Sequence, residues 1–441
     1  MKIVRRLLLS AAMTAAAIGG ITSGAAPVAA SVPAGYTLRV LQPLPNSVNA
    51  YGLSINARGT IVGFSDDPLT RAVTWAPNSS TAVSLGTPAG TDGSEAFAIN
   101  DYGTPVGEAT TGGAHYAAQF GGASATRIGT LPSSATTIGN DGFAYGTVED
   151  PSILPGAYRP AKFANGGFTY LAPDLGDATA VNDHGDVVGD AAGQAVRFVN
   201  GVAVALAPPA AEQSFASDIN NNGIAVGFQV DATLEESAVS FANGVATPLA
   251  GPRSAARSIN DGNQAVGFAT FGDQRGAALF ENGQAIDLNA IIPNHTDVHL
   301  VDSYGINNSG VIVGWASFCA NDICGNRGFV LTPPVTTITA DPPIARLSLA
   351  PKFLGGVTAH LTSAGAPLVG VPVVFTLPNG SLICQSTTDA TGTASCVGTA
   401  GVGVLTSAAR SGYVATYAGD NHHQPASAAA PGVGIYLRLR P

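Results

Sequence analysis

The sequence predicts an all-β fold, and three observations carry that prediction. One nine-residue phrase returns seven times, its spacing suits four short strands per copy, and the strand missing from the last copy is found near the N-terminus. The phrase is INARGTIVG from Ile55, INDYGTPVG from Ile99, IGNDGFAYG from Ile138 and VNDHGDVVG from Val181, then INNNGIAVG from Ile219, INDGNQAVG from Ile259 and INNSGVIVG from Ile306. Its ninth position is Gly in every copy: Gly63, Gly107, Gly146, Gly189, Gly227, Gly267 and Gly314. Successive copies start 44, 39, 43, 38, 40 and 47 residues apart, which leaves room for four short strands and their turns. Helical repeats of this length need long stretches of 3.6-residue periodicity, whereas these units are rich in Gly, Val, Thr, Asn and Ala with alternating apolar positions.

Within a unit, a first strand such as Ala96 to Asn100 runs into an Asn-rich turn, and a second passes through Pro105 and Val106 to Gly107. Asn and Asp cap the bend through their side chains, and the Gly at the fifth position takes the positive φ that closes a short hairpin. Two copies depart locally: Gly139 replaces the Asn, and Gly262 with Asn263 shifts the turn Gly by one. A third strand carries one aromatic per unit, in order Trp75, Phe120, Phe163, Phe198, Phe241, Phe280 and Phe329. An aromatic in mid-strand is core material, packed between neighbouring units, and the competing role is a stacking platform for sugars. Fourth strands follow at Ala82 to Leu85, Thr126 to Leu131 and Ala285 to Leu288.

The last unit stops at Leu331 with three strands, and Thr37 to Leu44 (TLRVLQPL) resembles the fourth strands elsewhere. A seven-bladed β-propeller over residues 36–333, closed by the N-terminal strand, therefore follows, since closure removes exposed sheet edges. The phrase A-x-x-I-N-x-x-G-x-x-V-G with an aromatic strand behind it resembles the HAF family of probable extracellular repeats of bacteria. That resemblance implies export and a repeat architecture and supplies no catalytic residues.

After Pro333 and Pro334 the repeat ends, and residues 336–441 read as a separate domain. Runs at Val357 to Leu361, Val371 to Leu377, Ser381 to Thr387, Thr393 to Val397, Ala409 to Tyr417 and Gly434 to Leu439 fit a small β-sandwich. Tyr417-Ala418-Gly419-Asp420, followed by Pro425 and Ser427, is similar to the closing strand of bacterial immunoglobulin-like domains, with His423 where that family has an aromatic. The resemblance implies a spacer or adhesive module.

At the other end, Lys2, Arg5 and Arg6 precede an Ala-rich apolar run that ends in small residues near Ala30. Residues 1–30 are expected to be a cleaved signal peptide, because Gly19, Gly20, Gly24 and Pro27 interrupt the run before it reaches spanning length. No other stretch approaches that length, so no membrane span is expected in the mature chain. Its removal takes the basic count from 19 to 16 against 29 acids and moves the net charge from −10 to −13. Nucleic acid is disfavoured as a partner by that charge. The cysteines Cys319, Cys324, Cys384 and Cys396 are expected to form disulfides, and local pairing is the simplest of three connectivities.

Chemistry is sparse. No nucleophile with a base, carboxylate pair or metal signature stands out, and His184 occupies a hairpin position of the repeat. The one local cluster is His295, Asp297 and His299, with Asp302 just beyond. On an extended segment alternate residues share a face and could bind a ligand or a divalent metal, and a polar solvated loop explains them equally well. Neither metal nor cofactor is expected. The loops that differ among copies, on the face opposite the Asn-Gly hairpins, are where a ligand should sit. The expectation is a secreted or cell-surface, non-catalytic binding or structural protein, adhesive towards an extracellular polysaccharide or a surface protein. A propeller hydrolase or lyase acting on polysaccharide and a protein-interaction scaffold are the alternatives.

Overall fold

In the computed structural model the described residues are 35–432, apart from 67–68, 122–123, 165, 209–210, 282, 293–296, 321–322, 348–352, 398–401 and 421. The expected signal peptide, the expected strand Gly434 to Leu439 and His295 lie outside them. The chain divides into two compact units, residues 37–332 in the first and 333–441 with 33–36 in the second.

The first unit is built from seven four-stranded antiparallel sheets. Six are consecutive in sequence, spanning 49–84, 93–127, 133–170, 176–205, 213–252 and 255–287. The seventh holds Val298–Ile306, Ile312–Ala320 and Ile323–Thr332, and its outer place is taken by Thr37–Leu41, with Thr37 opposite Thr332 and Leu41 opposite Gly328. The third-strand aromatics are all buried, Trp75 and Phe329 completely. They belong to apolar clusters shared between successive sheets: Phe120 packs with Val62 and Ala72 of the sheet before it, and Trp75 with Val313 and Val330 of the seventh sheet. The core is therefore a set of inter-sheet seams rather than one central mass.

The nine-residue phrase has two glycines with different duties. The fifth position adopts positive φ, from +72° to +87°, in Gly59, Gly103, Gly142, Gly185, Gly223 and Gly310. In the sixth copy, where the Gly is shifted by one to Gly262, Asn263 takes the fifth place at +62°, a conformation Asn tolerates. The ninth glycine has another cause. Every first strand carries a β-bulge, with register shifts after Gly52, Ala96, Ala135, Ala178, Ala216, Ala256 and Ser303. The carbonyl just before the bulge presses on the ninth glycine of the second strand, where a Cβ would lie only 1.8–2.1 Å from that oxygen. Only Gly fits there.

The second position explains itself once the sheets are adjacent. Asn Oδ1 accepts backbone N–H bonds inside its own turn, as Asn56 does from Arg58 and Thr60. Its Nδ2 donates to the carbonyl at the same position of the next sheet: Asn56 to Asn100, Asn100 to Gly139, Asn182 to Asn220, Asn220 to Asn260, Asn260 to Asn307, and Asn307 back to Asn56, all at 3.0–3.2 Å. Gly139 has no side chain to continue the series. There the Thr136 hydroxyl donates to the Ala178 carbonyl of the next sheet.

The second unit has two antiparallel sheets. One contains Thr336–Ala340, Ile344–Leu347, Phe353–Ser363, Ala366–Pro367 and Thr393–Val397, the other Pro372–Thr376, Leu382–Thr387, Tyr413–Tyr417 and Ala426–Ala430. Val357, Leu361 and Ala394 of the first share a buried cluster with Phe375, Tyr413 and Tyr417 of the second. Of the strand expected from Ala409 to Tyr417, Tyr413–Tyr417 is strand, while its first three residues are instead the end of a helix, Val402–Ser411, closed by Gly412 at φ +79° with its N–H on the Ala408 carbonyl. The disulfides are Cys319–Cys324 and Cys384–Cys396, the local pairing. Among the described residues no helix is long and apolar enough to cross a membrane.

The two kinds of glycine separate cleanly in a denaturation experiment. Gly227→Ala sets a Cβ 1.9 Å from the Phe215 carbonyl and is expected to cost roughly 3 kcal/mol or more. Gly223→Ala, which meets nothing within 4 Å, is expected to cost about 1 kcal/mol for its left-handed backbone alone. Urea midpoints of the two variants check the difference.

Candidate functional site

The bulge organises more than the glycine. Immediately before it, one residue of the first strand stands directly opposite the residue that follows the ninth glycine, on the side away from the Asn turn. The seven pairs are Tyr51–Phe64, Glu95–Glu108, Ser134–Thr147, Asp177–Asp190, Phe215–Phe228, Ala255–Phe268 and Asp302–Trp315. Paired residues of an antiparallel ladder point to the same face. The row thus holds chemically different groups at one structurally identical place in each sheet, which is the pattern of a site grafted on a repeated scaffold.

From the fifth sheet through the sixth and seventh to the first, the row becomes a continuous cluster. Phe215 and Phe228 stack with ring centroids 4.9 Å apart. Arg257, the residue in the bulge of the sixth sheet, lies 5.9 Å from the Phe228 ring and 5.3 Å from Phe268. Arg275, on the third strand of that sheet, covers Phe268 at 3.4 Å, a cation over a ring face. The Arg275 guanidinium donates to Asp302 Oδ2 at 2.6 Å, and Arg257 Nε stands 3.7 Å from the same oxygen. Burial and the Asp302 charge raise the Tyr304 phenol, against a smaller opposing effect of the two arginines and a hydrogen bond with Trp315, so it stays neutral. Across the joint with the first sheet, Trp315 meets Tyr51 at 6.1 Å, and Tyr51 stacks on Phe64 at 4.7 Å.

Elsewhere the row is acidic. Glu108 is buried opposite Glu95, with His115 Nδ1 2.6 Å from its Oε1. In the fourth sheet, burial first and the Asp177 carboxylate second push the Asp190 carboxyl well above the usual range. Two ladder positions closer to the Asn turn in the fifth sheet, Asp218 accepts bonds from Ser258 Oγ at 2.7 Å and from the Ile259 and Ile219 amides, yet burial pushes its pKa up to about 6.

The residues singled out in the sequence part company here. Asp302 is fully buried beneath the two arginines. His299 is half-buried, and its Nε2 donates to the Arg275 carbonyl at 2.8 Å. Asp297 is exposed and shares with His299, Asn289 and Ser317 a cleft of about 340 Å³ beside Cys319. Asp297 and His299 thus line one cleft, whereas a bulge between Leu300 and Asp302 separates Asp302 from them. Among the described residues no group of three His, Cys, Asp or Glu is placed to hold a metal ion.

Arg257 and Arg275 were missed in the sequence, as was the row itself. The signal was present: the residue after the invariant glycine changes its chemistry from copy to copy, reading Phe64, Glu108, Thr147, Asp190, Phe228, Phe268 and Trp315. No family model matches the chain, and no curated protein matches it in sequence.

Folding raises the Asp218 pKa from 3.8 to about 6, so the folded chain holds this proton more tightly than the unfolded one. Its contribution to stability is full below the ordinary value and is lost as pH rises through 6. Asp218→Asn is expected to flatten the part of the pH–stability profile between about pH 4 and 7 that this group causes, which urea melts at a series of pH values measure.

Proposed function

We propose that the first unit is a seven-bladed β-propeller, closed where Thr37–Leu41 completes the seventh sheet, and that the second is an immunoglobulin-like domain that positions it. The proposal includes membership of the HAF type of extracellular repeat and export by the N-terminal segment. The asparagine bonds that run from sheet to sheet and return from Asn307 to Asn56 support the closed arrangement. Two disulfides suit an oxidising, extracellular setting.

The function is non-catalytic binding of an extracellular ligand, and the row beside the bulges is the surface that binds. One observation carries this reading. The row's strongest charges are mostly held by one another or by aromatic faces, Arg275 by Asp302 and Phe268, Glu108 by His115, which builds a fixed recognition surface rather than a group poised to react. Saturable co-sedimentation of residues 31–441 with one member of a panel of insoluble polysaccharides and bacterial cell walls is the expected result. Retention by none of them would remove the polysaccharide reading and leave a protein partner.

The Asp177–Asp190 pair favours a second reading, action on a polysaccharide. Its two carboxyls face each other, and the raised Asp190 is suited to give a proton. Release of reducing ends or unsaturated products that Asp190→Asn abolishes would establish it, and the same assay on the purified chain showing no release would dismiss it.

A further inference from the structure

The Arg257–Arg275–Asp302 cluster is incomplete as a structural ion-pair group. Two guanidinium charges share one carboxylate, leaving a surplus of one positive charge in a chain whose net charge is −10. The Arg257 side chain is 9% exposed, Asp302 0% and Arg275 30%, so Arg257 is held largely out of water, where an incompletely compensated charge is costly, while Arg275 keeps access to solvent. Arg257 Nε, Arg275 Nε, Asp302 Oδ1 and Ser303 Oγ are buried and make no hydrogen bond among the described residues. Buried polar groups in native folds are nearly always paired. Of the three orphaned atoms on the row's own residues, the two guanidinium donors, Arg257 Nε and Arg275 Nε, mark a seat whose occupant brings acceptors and a negative charge.

The surroundings narrow what that occupant is. A guanidinium prefers a planar carboxylate that can accept two parallel bonds. Trp315 and Tyr51, both half-buried and next in the row, offer apolar faces of the size of a pyranose ring. Beyond them the row presents carboxylates at Glu95 and Asp177, which accept bonds from hydroxyls and repel a densely anionic chain. A ligand rich in hydroxyls, with a carboxylate only at intervals, meets all three conditions.

We propose that Arg257 and Arg275 bind the carboxylate of a uronic-acid residue, so that the ligand of the row is an acidic polysaccharide. The inference rests on the reading of the row as a binding surface and goes further by naming the ligand's chemistry. Asp302 holds Arg275 in place from below, and the bulge that displaces Arg257 from the regular strand is what brings the second guanidinium alongside.

Affinity electrophoresis of residues 31–441 in gels containing a glucuronoxylan, in which uronate occurs at intervals, its methyl ester or a neutral β-glucan tests this. Retardation by the free acid, lost in the methyl ester, is expected, with Arg257→Gln and Arg275→Gln each weakening binding about tenfold or more, the worth of a charge-assisted bond. Equal retardation by acid, ester and neutral polymer, or full binding by both folded variants, would overturn the uronate seat and leave the binding surface standing. Retardation by the β-glucan alone would do the same. If no polymer is bound but a peptide carboxylate is, both the seat for a sugar and the polysaccharide reading fall. The ester comparison uses the unaltered chain, so it decides even if a variant fails to fold.

Discussion

Each asparagine at the second position of the repeat answers two demands with one side chain. Its oxygen accepts the amides that would otherwise be stranded in a tight turn, and its amide nitrogen reaches a carbonyl of the neighbouring sheet. Aspartate could do the first and not the second, because an ionised carboxylate has no hydrogen to donate. That is why Asn, which turns alone do not require, holds the position in six copies. The sheets are individually small, and the seams between them contain mostly Ala, Val and one aromatic per sheet. A bond of fixed direction at the end of six of the seven seams sets the rotation of one sheet against the next, and the seams can pack only once that rotation is set.

A second layer of polar contacts lies just outside the first. The residues following the asparagines alternate between acid and amide: Asp101, Asn140, Asp183, Asn221, Asp261 and Asn308. Asn140 donates to Asp101 and Asp183, Asn221 to Asp183 and Asp261, and Asn308 to Asp261. The alternation keeps carboxylates from facing each other directly and lets Asn140 and Asn221 each serve two of them. Ala57 interrupts the series beside the closing contact. The asparagine turns thus work as a fixed end of the first unit, while the opposite side of every bulge is free to vary. The division of labour within nine residues is clear: the second, fifth and ninth positions hold the scaffold, and the tenth carries the chemistry.

Much of this was legible in the sequence, and particular residues show where legibility ended. The repeat, its four strands, the completing strand at Thr37 and the local disulfides rest on periodicity and spacing, which one chain displays fully. The purpose of the ninth glycine did not, because it depends on a carbonyl in another strand pushed forward by a bulge, and a bulge has no composition of its own. The helix at Val402–Ser411 was hidden for a related reason: a short run of Val, Leu and Ala reads as strand or helix until its neighbours choose. For the site, proximity in sequence misled. His295, Asp297 and His299 are close in sequence, yet no metal site is formed among the described residues, while Arg257, Arg275 and Asp302 are spread over 46 positions and meet because adjacent sheets bring the same register together.

The central claim is that the seven sheets depend on one another in the closed arrangement proposed above, which includes the N-terminal strand. Hydrogen exchange measured by mass spectrometry on a chain lacking residues 31–44 tests it most directly. A circuit predicts that amide protection falls in the third, fourth and fifth sheets, far along the chain from the deletion, as well as in the first and seventh. Undiminished protection in the middle sheets, with loss confined to the two ends, would contradict it and describe a linear stack instead.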